Sequence, residues 1–190
     1  MLNNYYRTMN LSDYVRVYDG TMPKELCKYL IDKFEQEEKQ HVARENEIMN
    51  FTEVNVIESG WDMNLMYPLM QNAKQGYYED CGIFDRIIKP EHNWEEVRMK
   101  RYRAGEGEEF RPHNDTWDLA TSRRFLVYFW YLNDVEVGGE TEFFRLERPL
   151  KIRPKAGRLI MFPSTWQYLH AGRPPKSNDK YIIGGYLHYN

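Results

Sequence analysis

From about residue 94 onward the chain is a succession of short runs rich in β-branched and aromatic residues: "WEEVRMKRYR", "EEFRPHNDTW", "RRFLVYFWYL", "ETEFFRLE", "GRLIMFP", "QYLHAG" and "KYIIGGYLHYN". Gly, Pro, Asn and Asp separate them, the residues that turn a chain most cheaply. No helix-spaced segment intervenes. Strands packed this closely must bury one face against another sheet or against themselves, so the pattern predicts a sandwich or a rolled-up barrel.

The N-terminal third is mixed. "YVRVYDG" predicts a short strand ending in a turn, and Thr21 and Pro23 mark a helix start. Leu26, Leu30, Ile31 and Phe34 then recur at the spacing of one apolar helical face. "FTEVNVIES" predicts a strand. "WDMNLMYPLMQNAKQGYYEDCG" predicts a second helix with Leu65, Leu69 and Ala73 aligned, an end near Gly82, and Pro68 shortening it; its Met and Tyr residues are read as core and rim packing. No repeat, low-complexity tract or linker divides the chain. Residues 1–190 are therefore read as one domain, with helical and strand support over about 1–93 and a β core over about 94–190.

At 190 residues such a domain buries roughly 70% of the surface its unfolded form exposes, so disulfide staples are unnecessary. Cys27 and Cys81 are far apart and form neither a metal spacing nor a disulfide framework. No apolar run approaches the ~20 residues of a membrane span. The opening "MLNNYYRTMN" lacks the apolar middle of a leader, and a soluble cytoplasmic protein is expected. The net charge of -3 argues against a general nucleic-acid binder. Lys100, Arg101, Arg103, Arg111, Arg123 and Arg124 do gather positive charge mid-chain, as a solvated face or a basic substrate groove.

Within this β pattern, "RPHNDTW" sets His113 and Asp115 two positions apart, hence on the same face of a strand. The pair alone proves nothing, since strand histidines are commonly packing or surface residues. A third ligand gives it meaning, and the chain has five histidines. His41 lies near the charged end of the first helix and His92 in a Pro/Asn-flanked turn, both read as solvent-facing. His170 lies 57 positions after His113, far enough for a distant strand to return beside the first. Two imidazoles and one carboxylate leave adjacent coordination positions open, the arrangement of non-haem Fe(II) oxygenases. Structural zinc would want four ligands, usually with thiolate, and hydrolytic zinc lacks an evident glutamate base. Lys180 follows His170 by ten residues on an apolar strand. Turned inward, its ammonium would demand an anion; turned outward, it is an ordinary strand-start lysine.

The stretches "RYRAGEGEEFRPHND", "RRFLVYFWYLNDVEVGGETEFF", "KIRPKAGRLIMFPSTWQYLHAG" and "DKYIIGGYLHY" resemble, in order and wording, the prolyl 4-hydroxylase-like branch of the Fe(II)- and 2-oxoglutarate-dependent dioxygenases. The resemblance covers about residues 95–190, with weaker likeness in "YDGTMPKELCKYLIDKF". It implies an α+β, mainly β fold: a double-stranded β-helix (jelly-roll) core braced by N-terminal helices. By the same resemblance His113, Asp115 and His170 match the iron ligands, and Lys180 the partner of the distal carboxylate of 2-oxoglutarate. Thr141 and Tyr102 match further contacts to that co-substrate, and Tyr131 lines the same pocket. "AGEGEEF" is about two residues longer than the usual connection, a departure that bears on Tyr102. Arg124, Tyr186 and His188 fall where peptide-acting relatives place substrate contacts. Trp117, in a loop at the barrel mouth beside "AGEGEEF", is read as a cover for bound substrate.

The implied cofactor set is Fe(II), 2-oxoglutarate and O2, with ascorbate. Fe(II), one carboxylate, a 2-oxoglutarate dianion and one ammonium sum to neutrality, which a dry site tolerates. The expected activity is C–H hydroxylation with release of succinate and CO2, most directly of a prolyl residue in a peptide or protein. The alternatives are the same chemistry on a small molecule or nucleobase, and a non-catalytic β-barrel that binds a ligand. No membrane partner is expected, and the acidic balance and Lys180 speak against nucleic acid.

Overall fold

A computed structural model describes residues 9–84, 88 and 91–190. The opening residues 1–8, on which the expectation of no leader largely rests, lie outside the described residues.

Among the described residues, twelve strands form one continuous antiparallel sheet. The N-terminal third supplies β1 (Arg16–Tyr18), α1 (Lys24–Gln36), β2 (Val42–Glu45), β3 (Met49–Asn55) and α2 (Tyr67–Cys81). The remainder is strand: β4 (His92–Trp94), β5 (Arg98–Tyr102), β6 (Glu109–His113), β7 (Arg124–Tyr131), β8 (Thr141–Phe143), β9 (Leu150–Ile152), β10 (Arg158–Pro163), β11 (His170–Gly172) and β12 (Lys180–Tyr189). Spatial order is β1-β10-β7-β12-β5-β3-β6-β11-β8-β9, with β2 beside β3 and β4 beside β12. The sheet curls until its far end covers its near end. Tyr131 of β7 reaches across to Thr141 of β8, hydroxyl to hydroxyl at 2.6 Å, and donates to the Ile152 carbonyl of β9 at 3.2 Å.

Alternation along each long strand sorts side chains into two cores. On β7, Leu126, Tyr128 and Trp130 join the core under the helices, while Val127 and Tyr131 join the core inside the curl. On β10, Leu159 and Met161 likewise part from Ile160 and Phe162. Gly184 of β12 is needed for close packing on β7: a Cβ there would stand 2.1 Å from the Tyr128 carbonyl oxygen.

The first helix buries Cys27, Leu30 and Phe34, with Leu26 and Ile31 half-buried at the rim of the same face. Full burial of Phe34 contributes about 1.5–3 kcal/mol. On α2 the buried face differs from expectation. It is Met70, Ala73, Tyr77 and Cys81, whereas Leu65 is exposed in a preceding 3-10 turn and Leu69 sits at the rim. Met66, one residue from Leu65, takes the buried place instead. Pro68 starts this helix rather than shortening it, because the first turn has no use for an amide proton there. Gly82, at φ 64°, ends it in the left-handed conformation.

Candidate active site

The last strands of the spatial order, β6, β11, β8 and β9, bring together what the sequence separates. Within the β6–β11 pair, His170 lies directly opposite His113. Each ring is aimed by its own chain: the Nδ1 of His113 bonds the Arg111 carbonyl at 2.7 Å, and that of His170 bonds the Tyr168 carbonyl at 2.9 Å. A carbonyl can only accept, so Nδ1 carries the proton and Nε2 presents a lone pair. Both Nε2 atoms face Asp115, at 3.8 Å from His113 to Oδ1 and 3.6 Å from His170 to Oδ2. The three donors lie within 4.8 Å of one another. Although β6 ends at His113, the Asp115 amide donates to the Ser164 carbonyl at 3.2 Å, which holds the carboxylate on the same side.

The surroundings suit a divalent cation. Phe110 stacks on His113 at 3.5 Å between centroids, and Phe162 meets His170 edge-on at 4.8 Å. Burial, followed by the nearby His170, lowers the His113 pKa to about 3, so its ring stays neutral. Burial opposes ionisation of Asp115, but the two imidazoles and a hydrogen bond from Tyr186 outweigh it and the net shift is downward. The Tyr186 hydroxyl donates to Asp115 Oδ1 at 2.7 Å. Asp115 Oδ2 is buried without a hydrogen-bond partner among the described residues, a condition that costs about 1–3 kcal/mol or more for a charged group. One orphaned carboxylate oxygen beside two imidazole Nε2 atoms fits a cation between them.

Next to this cluster is a cavity of about 60 Å³ that reaches Thr141 and Lys180. Lys180 points inward and is only 2% exposed. Its Nζ donates to the carbonyls of Gly139 at 3.3 Å and Arg173 at 3.2 Å, and it lies 4.0 Å from the Tyr102 ring centroid. No carboxylate pairs with it among the described residues. Burial lowers its pKa to about 7. Tyr102 is opposite Lys180 in the β5–β12 register. The longer connection after Tyr102 does not displace it: Glu108 accepts from the Arg103 amide at 2.8 Å and its guanidinium at 2.7 Å, closing the extra residues into a separate loop.

A wider groove of about 590 Å³ opens outward from the same cluster. Trp117 lines its mouth and is 69% exposed. Arg124 and Tyr186 also line it, but both are already engaged. Arg124 forms a two-pronged ion pair with Glu95, at 2.5 and 2.7 Å, and stacks 3.9 Å over Tyr186. Both brace Asp115, Arg124 through its carbonyl at 3.2 Å and Tyr186 through its carboxylate at 2.7 Å. His188 lies outside the groove lining, its Nδ1 against the Tyr189 carbonyl, and the 103–109 loop does not line it either. Two other expectations change. His41 packs on Phe34 at 4.1 Å and meets its carbonyl at 2.8 Å, and His92 begins β4 with its ring against Tyr78 and Phe125. Sequence reasoning passed over Phe110 and Glu95, whose partners are fixed only by the fold, and placed Lys100 merely in a basic stretch.

A sequence profile describing the 2OG-Fe(II) oxygenase superfamily matches residues 97–188. That segment is similar to the oxygenase domain the profile describes. The chain is 30% identical over 95 residues to a probable prolyl 4-hydroxylase of Arabidopsis thaliana. That match covers 47% of this chain, which spans 30% of the length of the plant relative. Among solved structures, the viral collagen prolyl hydroxylase of Paramecium Bursaria Chlorella virus-1, in its 2-oxoglutarate complex, superposes with a TM-score of 0.70 at 24% identity, covering 93% of this chain and 97% of that one. A Trichoplax adhaerens prolyl hydroxylase bound to a hypoxia inducible factor peptide fragment gives 0.70 at 14% identity, over 93% and 84% of the two chains. These likenesses show the fold, the double-stranded β-helix. The oxygenase family implies Fe(II), 2-oxoglutarate and O2, and its profile spans all three clustered donors and Lys180. No helix among the described residues is long and apolar enough to cross a membrane.

Proposed function

We propose that this chain is an Fe(II)- and 2-oxoglutarate-dependent dioxygenase that hydroxylates a prolyl residue of a peptide or protein, releasing succinate and CO2. The observation that carries the reading is the convergence of His113, Asp115 and His170 on one point with an orphaned carboxylate oxygen. When bound there, ferrous iron supplies the redox chemistry that couples decarboxylation of 2-oxoglutarate to oxidation of a C–H bond. The protein's part is to bind and orient. Both imidazoles are aimed with Nε2 forward by their Nδ1 contacts to backbone carbonyls, and Tyr186 holds one oxygen of Asp115 so that the other faces the ion. Lys180 closes the inner cavity with a cation lacking a counter-anion, suited to the distal carboxylate of a dicarboxylate; Thr141, Tyr131 and Tyr102 shape the walls.

A peptide substrate is supported by the groove, which is open and far larger than the inner cavity; free proline would call for a closed pocket. The prolyl hydroxylase of Trichoplax, a structural neighbour, is seen with a peptide. Two buried reduced cysteines are consistent with a cytoplasmic setting.

The test is anaerobic loading with Fe(II) and 2-oxoglutarate, admission of O2, and measurement of succinate together with the mass of proline-containing peptides. Oxygen-dependent succinate and a gain of one oxygen atom on proline are expected, and both vanish in Asp115→Ala. Full turnover in that variant would remove Asp115 from the ligand set. Succinate with unmodified peptides would direct the search to small molecules.

A further inference from the structure

Among the described residues, the lysine and arginine side chains that line the outer groove are paired with carboxylates, with one exception. Arg98 pairs with Glu53 and Glu96, both at 2.5 Å, and Arg44 pairs with the same Glu53 at 2.8 Å. Arg124 is held by Glu95. Lys100 lines both the groove and the inner cavity, yet it has no ion pair or hydrogen bond through its ammonium among the described residues. Its Nζ instead lies 4.8 Å from the ring centroid of Phe51 and 5.3 Å from that of Phe110. The carboxylates whose charge acts on it, Glu53 and Asp115, are engaged elsewhere: Glu53 is shared by two arginines, and Asp115 is grouped with His113 and His170.

Its depth is set by strand register. Lys180 is opposite Tyr102 and Ile182 is opposite Lys100, so Lys100 sits two residues, about 7 Å, nearer the mouth than the co-substrate end. It shares Phe110 with His113. An ammonium here is beside the reacting region, not at its floor. Leaving a partly desolvated cation unpaired is costly unless an arriving ligand supplies the anion.

Resting on the hydroxylase reading above, we propose that Lys100 forms an anion subsite of the substrate groove, so the preferred substrate carries a carboxylate adjacent to the residue that is oxidised. That carboxylate is either an acidic side chain next in sequence or a chain terminus. A polyanion such as nucleic acid is disfavoured, since Glu53 and Glu96 line the same groove and would repel a phosphate backbone.

The experiment uses four short peptides and the whole protein loaded with Mn(II) and 2-oxoglutarate, which keeps binding separate from turnover. Ac-Ala-Pro-Glu-NH2 is compared with Ac-Ala-Pro-Gln-NH2, and Ac-Ala-Pro-OH with Ac-Ala-Pro-NH2, by equilibrium titration. At least one acid should bind about tenfold or more tightly than its neutral isostere, as expected for a charge-assisted hydrogen bond. Which pair shows it identifies the source of the carboxylate. Lys100→Met should erase the preference and Lys100→Arg should keep part of it, which distinguishes lost charge from misfolding. Equal binding within both pairs overturns the proposal, as does a preference that survives in Lys100→Met. A Lys100→Met variant that weakens 2-oxoglutarate and leaves the peptide preference intact also overturns it, because the cation would then serve the co-substrate. Mass spectrometry of the same peptides with Fe(II) and O2 tests the hydroxylase reading separately: an acid preference without proline oxidation sinks that reading and leaves the subsite standing.

Discussion

At Lys180 burial and charge pull in opposite directions. Burial lowers its pKa to about 7, whereas an unfolded chain keeps the proton to about 10.4. Between those values the unfolded state binds more protons, so this group makes stability rise with pH from about 7 upward. Binding runs the other way. A dicarboxylate needs the ammonium, and above about pH 7 the free protein must take up a proton to receive it. The affinity for 2-oxoglutarate should therefore fall as pH rises through about 7, by up to about tenfold per unit. Titrations with the metal-loaded protein between about pH 6 and 9 would show this slope, and Lys180→Met should abolish it while weakening binding at every pH. A slope unchanged in Lys180→Met would assign the proton to another group.

At the scale of elements, β12 ties the two ends of the site together. Lys180 at its start closes the cavity, and Tyr186, six residues on, holds Asp115. Between them Gly184 lets the strand approach β7 so closely that a Cβ would meet the Tyr128 carbonyl oxygen at 2.1 Å. Gly184→Ala should push the strands apart, cost about 1–3 kcal/mol of stability, and weaken metal and 2-oxoglutarate binding together. Calorimetry and two binding titrations check it; loss of one ligand alone would mean that the strand does not move as a unit. What sequence reading caught and missed divides along similar lines. The shared face of His113 and Asp115 was legible because strand alternation fixes direction locally, whereas spacing left the direction of Lys180 open, and the parts given to His170 and Lys180 came from the family resemblance. The face of α2 was misjudged by a residue, since Leu65 and Leu69 are more apolar by type than Met66, Met70 and Tyr77, which are buried. The engagement of Arg124 by Glu95, 29 positions away, and of Tyr186 by Asp115, 71 positions away, depends on pairings that no local pattern encodes.

For the whole molecule, an ion held by donors as far apart in sequence as His113 and His170 would link occupancy to stability. A ligand that binds the folded chain alone stabilises it by about 2.7 kcal/mol at a hundredfold excess over its dissociation constant. Melting temperature should rise with added Mn(II) or Fe(II) under anaerobic conditions, and His170→Ala should flatten that response. A chelated protein that loses its secondary structure would show instead that the ion, not the curled sheet, holds the fold together. The Glu108 clamp has a different kind of consequence. By fastening both ends of its loop to Arg103, it isolates the length of that connection from the position of Tyr102. Related chains are thereby free to gain or lose residues between these anchors over evolutionary time, because the floor of the pocket never registers the difference.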